Sequence, residues 1–206
     1  MDSTNEKQME ARLRDIFTIA KKNREKRASN FLDPAEQEIA RNVASGFPDM
    51  DFYLDGGYEN AERRILVAYP KGMEDEPFKQ PIGALRITSR DLSAHPGHRD
   101  YLGAILGLGI NREKIGDILV GQDYTDIVVK EEIMEYIGTN LLKVGNAPVE
   151  VEEISLKELL KPERAYKEIK GTVASLRLDA VACIAFGISR SKMAPFIKGE
   201  NVRINF

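Results

Sequence analysis

Apolar positions change period several times along the first 150 residues, and each change marks a predicted element. Met9, Leu13, Ile16, Phe17 and Ala20 recur at three- and four-residue steps, which predicts an amphipathic helix over 4–23. Ser3 and Glu6 have the spacing of a capping box at its start. Its end, Lys21 to Arg27, is basic and reads as a solvated face. A second helix begins at Asp33-Pro34, a capping residue followed by proline at the first helical position, with Glu36 completing a box. Ala35, Ile39 and Val43 form its apolar face, and it ends at Gly46 ahead of Pro48.

The period then shortens. Asp51 to Asp55, Arg64 to Tyr69 and Pro81 to Ile87 read as strands, separated by Gly56-Gly57 and by the loop from Pro70 to Pro77. Tyr101, Leu102, Ile105, Leu106 and Leu108 predict a helix, with Gly103 and Gly107 as marks of close packing. Ile115 to Val120 and Ile127 to Lys130 form two further strands across a Gly121-Gln122-Asp123 turn. Ile133, Met134, Ile137 and Leu141 place a helix over 131–142, and Val149 to Ile154 supplies a last strand. Helices and strands mix without strict alternation, so the fold class is α+β, with N-terminal helices and a mixed, mainly antiparallel sheet flanked by helices.

The last third is patterned differently. Residues 155–171 are charged, contain Pro162 and Gly171, and read as a helical linker. Beyond them Leu178, Val181, Ala182, Ala185 and Phe186 fall at helical spacing with Ser175 as the expected cap; Gly187 closes this helix and Ser189 caps the next. A capped start leaves free amides beside Arg190 and Lys192, a phosphate-binding arrangement. Arg177, Lys198 and Arg203 extend the cationic surface, so Arg177, Ser189, Arg190, Lys192, Lys198 and Arg203 are the candidate RNA-binding residues. A second patch is expected on the Gly56–Arg64 loop, where Tyr58, Arg63 and Arg64 offer a ring and two guanidinium groups for stacking and phosphate pairing. Four regions result: a basic helix over 1–27, an α+β domain over 28–154, a linker over 155–171, and a small domain of two helices and a strand over 172–206.

Charge sharpens this layout. The net charge is −3, yet residues 1–27 carry eight Lys/Arg against five Asp/Glu, and residues 170–206 carry six against two. The middle is therefore acidic between two basic ends, a distribution suited to meeting a polyanion with the termini. No stretch approaches a membrane span or a signal peptide, and Cys183 is the only cysteine, so no disulfide framework or cysteine-based zinc site is expected and a cytoplasmic address follows.

Catalytic motifs fail on their requirements. His98-Arg99-Asp100 begins like a kinase catalytic loop, but the metal-binding asparagine five residues on is replaced by Ile105. Gly107-Leu108-Gly109 lacks the third glycine of a dinucleotide fingerprint. His95 and His98 have no third ligand at suitable spacing. The chain reads as no enzyme, with no cofactor, no metal and no small-molecule substrate.

Ser-Leu-Arg-Leu-Asp at 175–179, Ser-Arg-Ser-Lys at 189–192 and Val-Arg-Ile-Asn at 202–205 resemble the RNA-binding domain first described in the fourth small-subunit ribosomal protein. Phe31-Leu32-Asp33-Pro34, Gly56 through Arg63, His98-Arg99-Asp100 with Leu102-Gly103-Ala104, and Gly116 through Val120 are similar to the bacterial YlmH family. That resemblance spans nearly the whole chain. It implies a second RNA-binding module upstream and a gene near the cell-division cluster. It also implies a role in rescue of stalled large ribosomal subunits, with ribosomal RNA and peptidyl-tRNA as partners. Two departures stand out. Pro195 falls where the family pattern has a helix former and is expected to shorten or kink the second short helix, at about 3 kcal/mol. The sequence also stops before the glycine turn and return strands that close this domain, which reads as a truncated end. An RNA-modifying enzyme and a cell-division scaffold remain as alternatives.

Overall fold

The computed structural model describes residues 3–91, 95–160, 169–199 and 202. The chain divides into two compact units, Met1–Pro162 and Glu163–Phe206.

The first unit is four-layered. Helices α1 (Ser3–Asn23) and α2 (Pro34–Ala44) cover one face of a three-stranded antiparallel sheet of β1 (Arg27–Leu32), β3 (Arg64–Pro70) and β2 (Met50–Asp55), in that order. The second sheet is five-stranded and antiparallel: β5 (Ile115–Val120), β6 (Tyr124–Lys130), β4 (Ile82–Ser89), β8 (Ala147–Ile154) and β7 (Lys143–Val144). Its outer face carries α3 (His98–Gly107) and α4 (Met134–Asn140). The two sheets meet through Phe31, Ile65 and Val67 on one side and Ile82, Ala84 and Val128 on the other.

Strand alternation explains these layers. In β3, Ile65 and Val67 face the second sheet while Leu66 and Ala68 face α1 and α2. Both faces are covered, so the strand is a continuous apolar run rather than an alternating one. In β6, Val128 faces the inter-sheet core while Ile127 and Val129 pack under α3 and α4.

The N-terminal helix buries Leu13, Phe17 and Ala20, with Met9 and Ile16 at the margin, as its period predicts. Phe17 stacks on Phe47 with centroids 5.0 Å apart. The Ser3 side chain of the expected capping box lies outside the described residues, and Glu6 is exposed in the first turn of α1. At α2 the predicted box is formed: the Asp33 carboxylate accepts from the Glu36 amide at 2.8 Å, and Glu36 accepts from the Asp33 amide at 2.7 Å. Its buried face is Gln37, Ala40 and Val43 rather than the expected Ala35, Ile39 and Val43. Gln37 is buried because its amide donates to the carbonyls of Leu32 and Glu62, at 3.0 and 2.7 Å.

Strand β1 is absent from the sequence-based expectation. Arg24, at φ 51°, turns the chain out of α1, and the strand that follows is broken by a bulge between Ala28 and Phe31. Its polar residues are paired internally. Ser29 Oγ accepts from the Leu66 amide at 2.8 Å, and the Ser29 carbonyl accepts from the buried Lys130 ammonium at 3.0 Å. Burial lowers the Lys130 pKa from its ordinary value. The helix expected over 131–142 is shorter: a 3-10 turn, Glu131–Ile133, leads into α4. Gly103 and Gly107 face open space, so close packing is not the reason for either.

Arg86 and Asp126 fix the end of this unit. They are opposed across β4 and β6, and Asp126, fully buried, accepts from Arg86 Nε at 2.8 Å and Nη2 at 2.9 Å. The same carboxylate accepts from the Leu160 amide at 2.7 Å, and Arg86 donates to the Glu158 carbonyl at 3.0 Å. Residues 155–160 of the expected linker are thereby docked on the sheet, with Leu159 in the inter-sheet core. Residues 161–168 lie outside the described residues.

The second unit is a helix pair. Helix α5 (Leu178–Phe186) has Arg177, not Ser175, at its N-cap, because helical backbone begins only at Leu178. Gly187 ends it in the left-handed conformation at φ 64°, with the Ile188 amide reaching the Cys183 carbonyl at 3.2 Å. Helix α6 (Arg190–Lys198) follows at a bend of 113°, the geometry of a helix-turn-helix. Ala180, Ala182 and Met193 are buried. Val181, Ala185 and Phe186, expected inside, are exposed instead. The shortening expected at Pro195 does not occur: the helix runs through it to Lys198. The missing proline amide removes one bond, to Ser191, and the turn resumes with the Gly199 amide on the Pro195 carbonyl at 2.9 Å.

Candidate nucleic-acid interface

Asp179 organises the charged end of the helix pair. It lies in the first turn of α5, where a carboxylate complements the helix dipole. One oxygen accepts from Arg177 Nε at 3.0 Å; the other lies 3.7 Å from Arg190 Nε in the first turn of α6. Two arginines distant in sequence are thus brought to one acid. The Arg177 hydrogen bond, aided by the charges of both arginines, holds the Asp179 carboxyl below its ordinary range. Asp179 satisfies only part of each guanidinium, and both arginine side chains are more than half exposed.

Ser189 occupies the N-cap of α6, as expected, but its side chain does not close the helix. Its hydroxyl sits 3.1 Å from that of Ser191, and its carbonyl receives the Lys192 and Met193 amides. The earliest amides of a helix lack intrahelical partners, so this end presents donors beside Arg190 and the exposed Lys192. Arg177 and Arg190 therefore converge at the start of α6, where Ser189 and the exposed Lys192 lie in the same capped turn. Lys198 does not join them: it is exposed in the last turn of α6, about 9 Å further along the axis. Arg203 lies outside the described residues.

The upstream patch is built differently from its expectation. Asp117 on β5 accepts the Tyr58 hydroxyl at 2.6 Å, the Glu62 amide at 2.7 Å and the Arg63 amide at 2.9 Å. The Arg63 side chain reaches the carbonyls of Ile115 and Phe31, at 3.0 and 3.1 Å. Arg64 folds back on the carbonyls of Ala61 and Glu59, at 2.7 and 3.3 Å. All three side chains are half-buried: Tyr58 and Arg63 tie the loop to β5 and Arg64 braces the loop internally, rather than standing free for stacking. Arg112 joins the same cluster through the Ile115 carbonyl at 2.6 Å; burial, then the nearby charge of Arg63, brings its pKa down to about 10. Asp117→Ala is expected to cost about 2 kcal/mol in urea unfolding, because it strips three donors of one acceptor. A change below about 0.5 kcal/mol would show that water replaces the carboxylate.

His98-Arg99-Asp100 is a helix start, as its failed kinase pattern implies. Asp100 accepts from the Gly97 amide at 2.8 Å and closes the first turn of α3. The acids at 117 and 126 are the site-shaping residues that sequence reasoning missed. Nothing local marks either, since their partners are supplied by other strands and loops.

The architecture is that of a multi-unit α+β protein whose second sheet is a recognisable domain. Residues 82–158, from the start of β4 to the 3-10 turn after β8, match the family model described as "Putative RNA-binding domain in YlmH". The chain is 32% identical over 178 residues to ribosome-associated protein quality control protein P2 of Bacillus subtilis (strain 168), covering 86% of this chain and 69% of that one. It also matches the structure of cell division protein ylmH from Streptococcus pneumoniae, with a TM-score of 0.65 and 19% identity over 76% of this chain and 95% of the other. The last comparison establishes a shared fold. On the sequence relationship, the chain belongs to the YlmH family.

Proposed function

We propose that this chain is a non-catalytic RNA-binding protein of the ribosome, acting in the rescue of stalled large subunits through contacts with ribosomal RNA and peptidyl-tRNA. The observation that carries the reading is the convergence of Arg177 and Arg190 on Asp179 beside the open start of α6. Cations fixed at a helix N-terminus recognise phosphate irrespective of sequence and position a protein on folded RNA. The domain over residues 82–158 and the quality-control name of the Bacillus subtilis relative support the same direction. Lys192, Lys198 and Arg203 would widen the phosphate contact, while Tyr58, Arg63 and Arg64 would act by holding the upstream domain together. Such a role is positional and requires no reacting group.

The test is binding to purified large ribosomal subunits, empty and carrying peptidyl-tRNA, over a salt series. If Arg177, Arg190 and Lys192 each neutralise a phosphate, log affinity should fall against log salt with a slope of about −2 to −3. Tighter, salt-sensitive binding to the tRNA-occupied particle is the expected result. Salt-insensitive binding, or none at low salt, would overturn the proposal.

A further inference from the structure

A cleft of about 550 Å³ lies between the start of β1 in the first sheet and the end of β6 in the second. That volume is in the range of small-ligand sites. The pairing of Ile82 with Lys130 brings Pro81 beside Glu131, whose amide donates to the Pro81 carbonyl at 3.0 Å. Ala28 and Phe78, which pack against the inter-sheet core, join Pro81 as the apolar lining. The cleft is therefore at the margin of that core.

Lys130 is its buried cation. Ile127 and Val129 face α3 and α4, so Val128 and Lys130 point to the other side, between the sheets. The Lys130 ammonium spans the two strands that bound the cleft, reaching the Ser29 carbonyl of β1 at 3.0 Å, and only 7% of the residue is exposed. That bond uses one of the three donors of an ammonium group. Among the described residues Lys130 has no other hydrogen bond and no ion pair. Burial accordingly lowers its pKa, Glu132 opposes the shift, and Lys114 adds to it.

Charge decides what enters. Lys26, Arg27, Lys79 and Lys130 line the space with Glu25, Glu131 and Glu132. Each carboxylate already has a cation: Glu25 accepts from Arg27 Nε at 2.8 Å, Glu131 pairs with Lys79, and Glu132 lies 2.9 Å from Lys114. Lys26 and Lys130 are left without a carboxylate among the described residues. Lys26 donates to the Glu74 carbonyl at 2.8 Å and lies 5.1 Å from the centre of the Tyr69 ring. Neither a carbonyl nor a ring neutralises a charge, so the cleft keeps a positive surplus. A buried ammonium with spare donors gains most from an oxyanion. Phosphate suits donors from two strands better than a carboxylate does, because it offers more acceptor oxygens, and RNA repeats it along its backbone.

We infer that this cleft binds one phosphate group of RNA, with Lys130 as its buried contact. This rests on the RNA-binding reading and gives the upstream domain a phosphate contact of its own, separate from that of the helix pair. The test is nuclear magnetic resonance of the full chain with isotope-labelled lysines, following Lys130 while inorganic phosphate replaces chloride at constant ionic strength. A saturable shift of the Lys130 signal is expected, with a rise in its pKa, because an oxyanion favours the ammonium form. Lys130→Met keeps the apolar stem and removes the charge. It should bind the large ribosomal subunit about tenfold more weakly at moderate salt, with a salt slope shallower by about 0.7 to 0.9. If that variant does not fold, single-stranded oligouridine added to the unaltered chain should shift the same signal. No shift of Lys130 with phosphate or with RNA would overturn the site. A phosphate shift with an unchanged salt slope in a folded variant would overturn RNA as the source and leave a free phosphate compound as the ligand. Absence of subunit binding by the unaltered chain at low salt would overturn the RNA-binding reading, while the phosphate titration would still decide the cleft.

Discussion

Asp126→Ala should destabilise the first unit by about 3–5 kcal/mol in urea unfolding, the cost of breaking a buried ion pair on one side. Asp126 has no exposed surface, and Arg86 keeps only 19% of its side chain accessible. The Asp126 hydrogen bonds raise the Arg86 pKa from its ordinary value, so truncation leaves a full positive charge under the sheet. The ring of Tyr124 and the Glu158 carbonyl compensate only part of it. The Leu160 amide loses its acceptor in the same step, which should speed hydrogen exchange at 158–160. An Arg86→Met, Asp126→Leu double variant should recover most of the loss, since neither charge is then buried. A single-variant loss below about 1 kcal/mol would mean that Arg86 swings out to water, and the ion pair would not be what docks this segment.

How far the fold can be read from the sequence depends on how local its causes are. Helices α1 and α2 were legible because periodicity and the Asp33–Glu36 box act within a few residues. The antiparallel sheets were legible because β3 and β6 are apolar runs bounded by turn residues. Strand β1 was not. It replaces the alternating apolar pattern with Ser29 and Asn30, and its stability comes from Leu66 and Lys130, which meet it only after folding. The exposed apolar face of α5 was misassigned for a related reason: period identifies a face, but the size of the partner decides which face is covered. On α5 the covered positions are Ala180 and Ala182, while Val181 and Phe186 stay outside.

The candidate site divides along the same line. Ser189, Arg190 and Lys192 were legible because a cap and its neighbours form a local motif. The gathering of Arg177 with Arg190 by Asp179 was not, as it depends on the bend at Gly187. The upstream loop misled through composition. An aromatic and two arginines between glycines resemble a stacking loop, yet Asp117, 59 residues from Tyr58 in sequence, gathers that segment inward. Asp126, 40 residues from Arg86, does the same for the segment at 158–160. Surface acids and anchoring acids look alike in sequence, and only topology separates them.

An Arg177→Ala, Arg190→Ala double variant should lose about 100-fold in RNA affinity at moderate salt, roughly tenfold for each charge-assisted phosphate contact. The salt slope should become shallower by about 1.5 to 2, which a loss of packing would not produce. Neither arginine belongs to the Ala180, Ala182 and Met193 core, so helical content and unfolding should be nearly unchanged. The single variants should not add up to the double. When one arginine is removed Asp179 still holds the other, but the double variant leaves an unpaired carboxylate facing the phosphates. Asp179→Asn separates these contributions. In the otherwise unaltered chain it removes a negative charge within 4 Å of both arginines and should raise affinity a few-fold. Added to the double variant, it should recover only the part due to repulsion and leave the salt slope shallow. A folded double variant with unchanged affinity and slope would remove both arginines from the RNA interface and shift attention to Lys192 and Lys198.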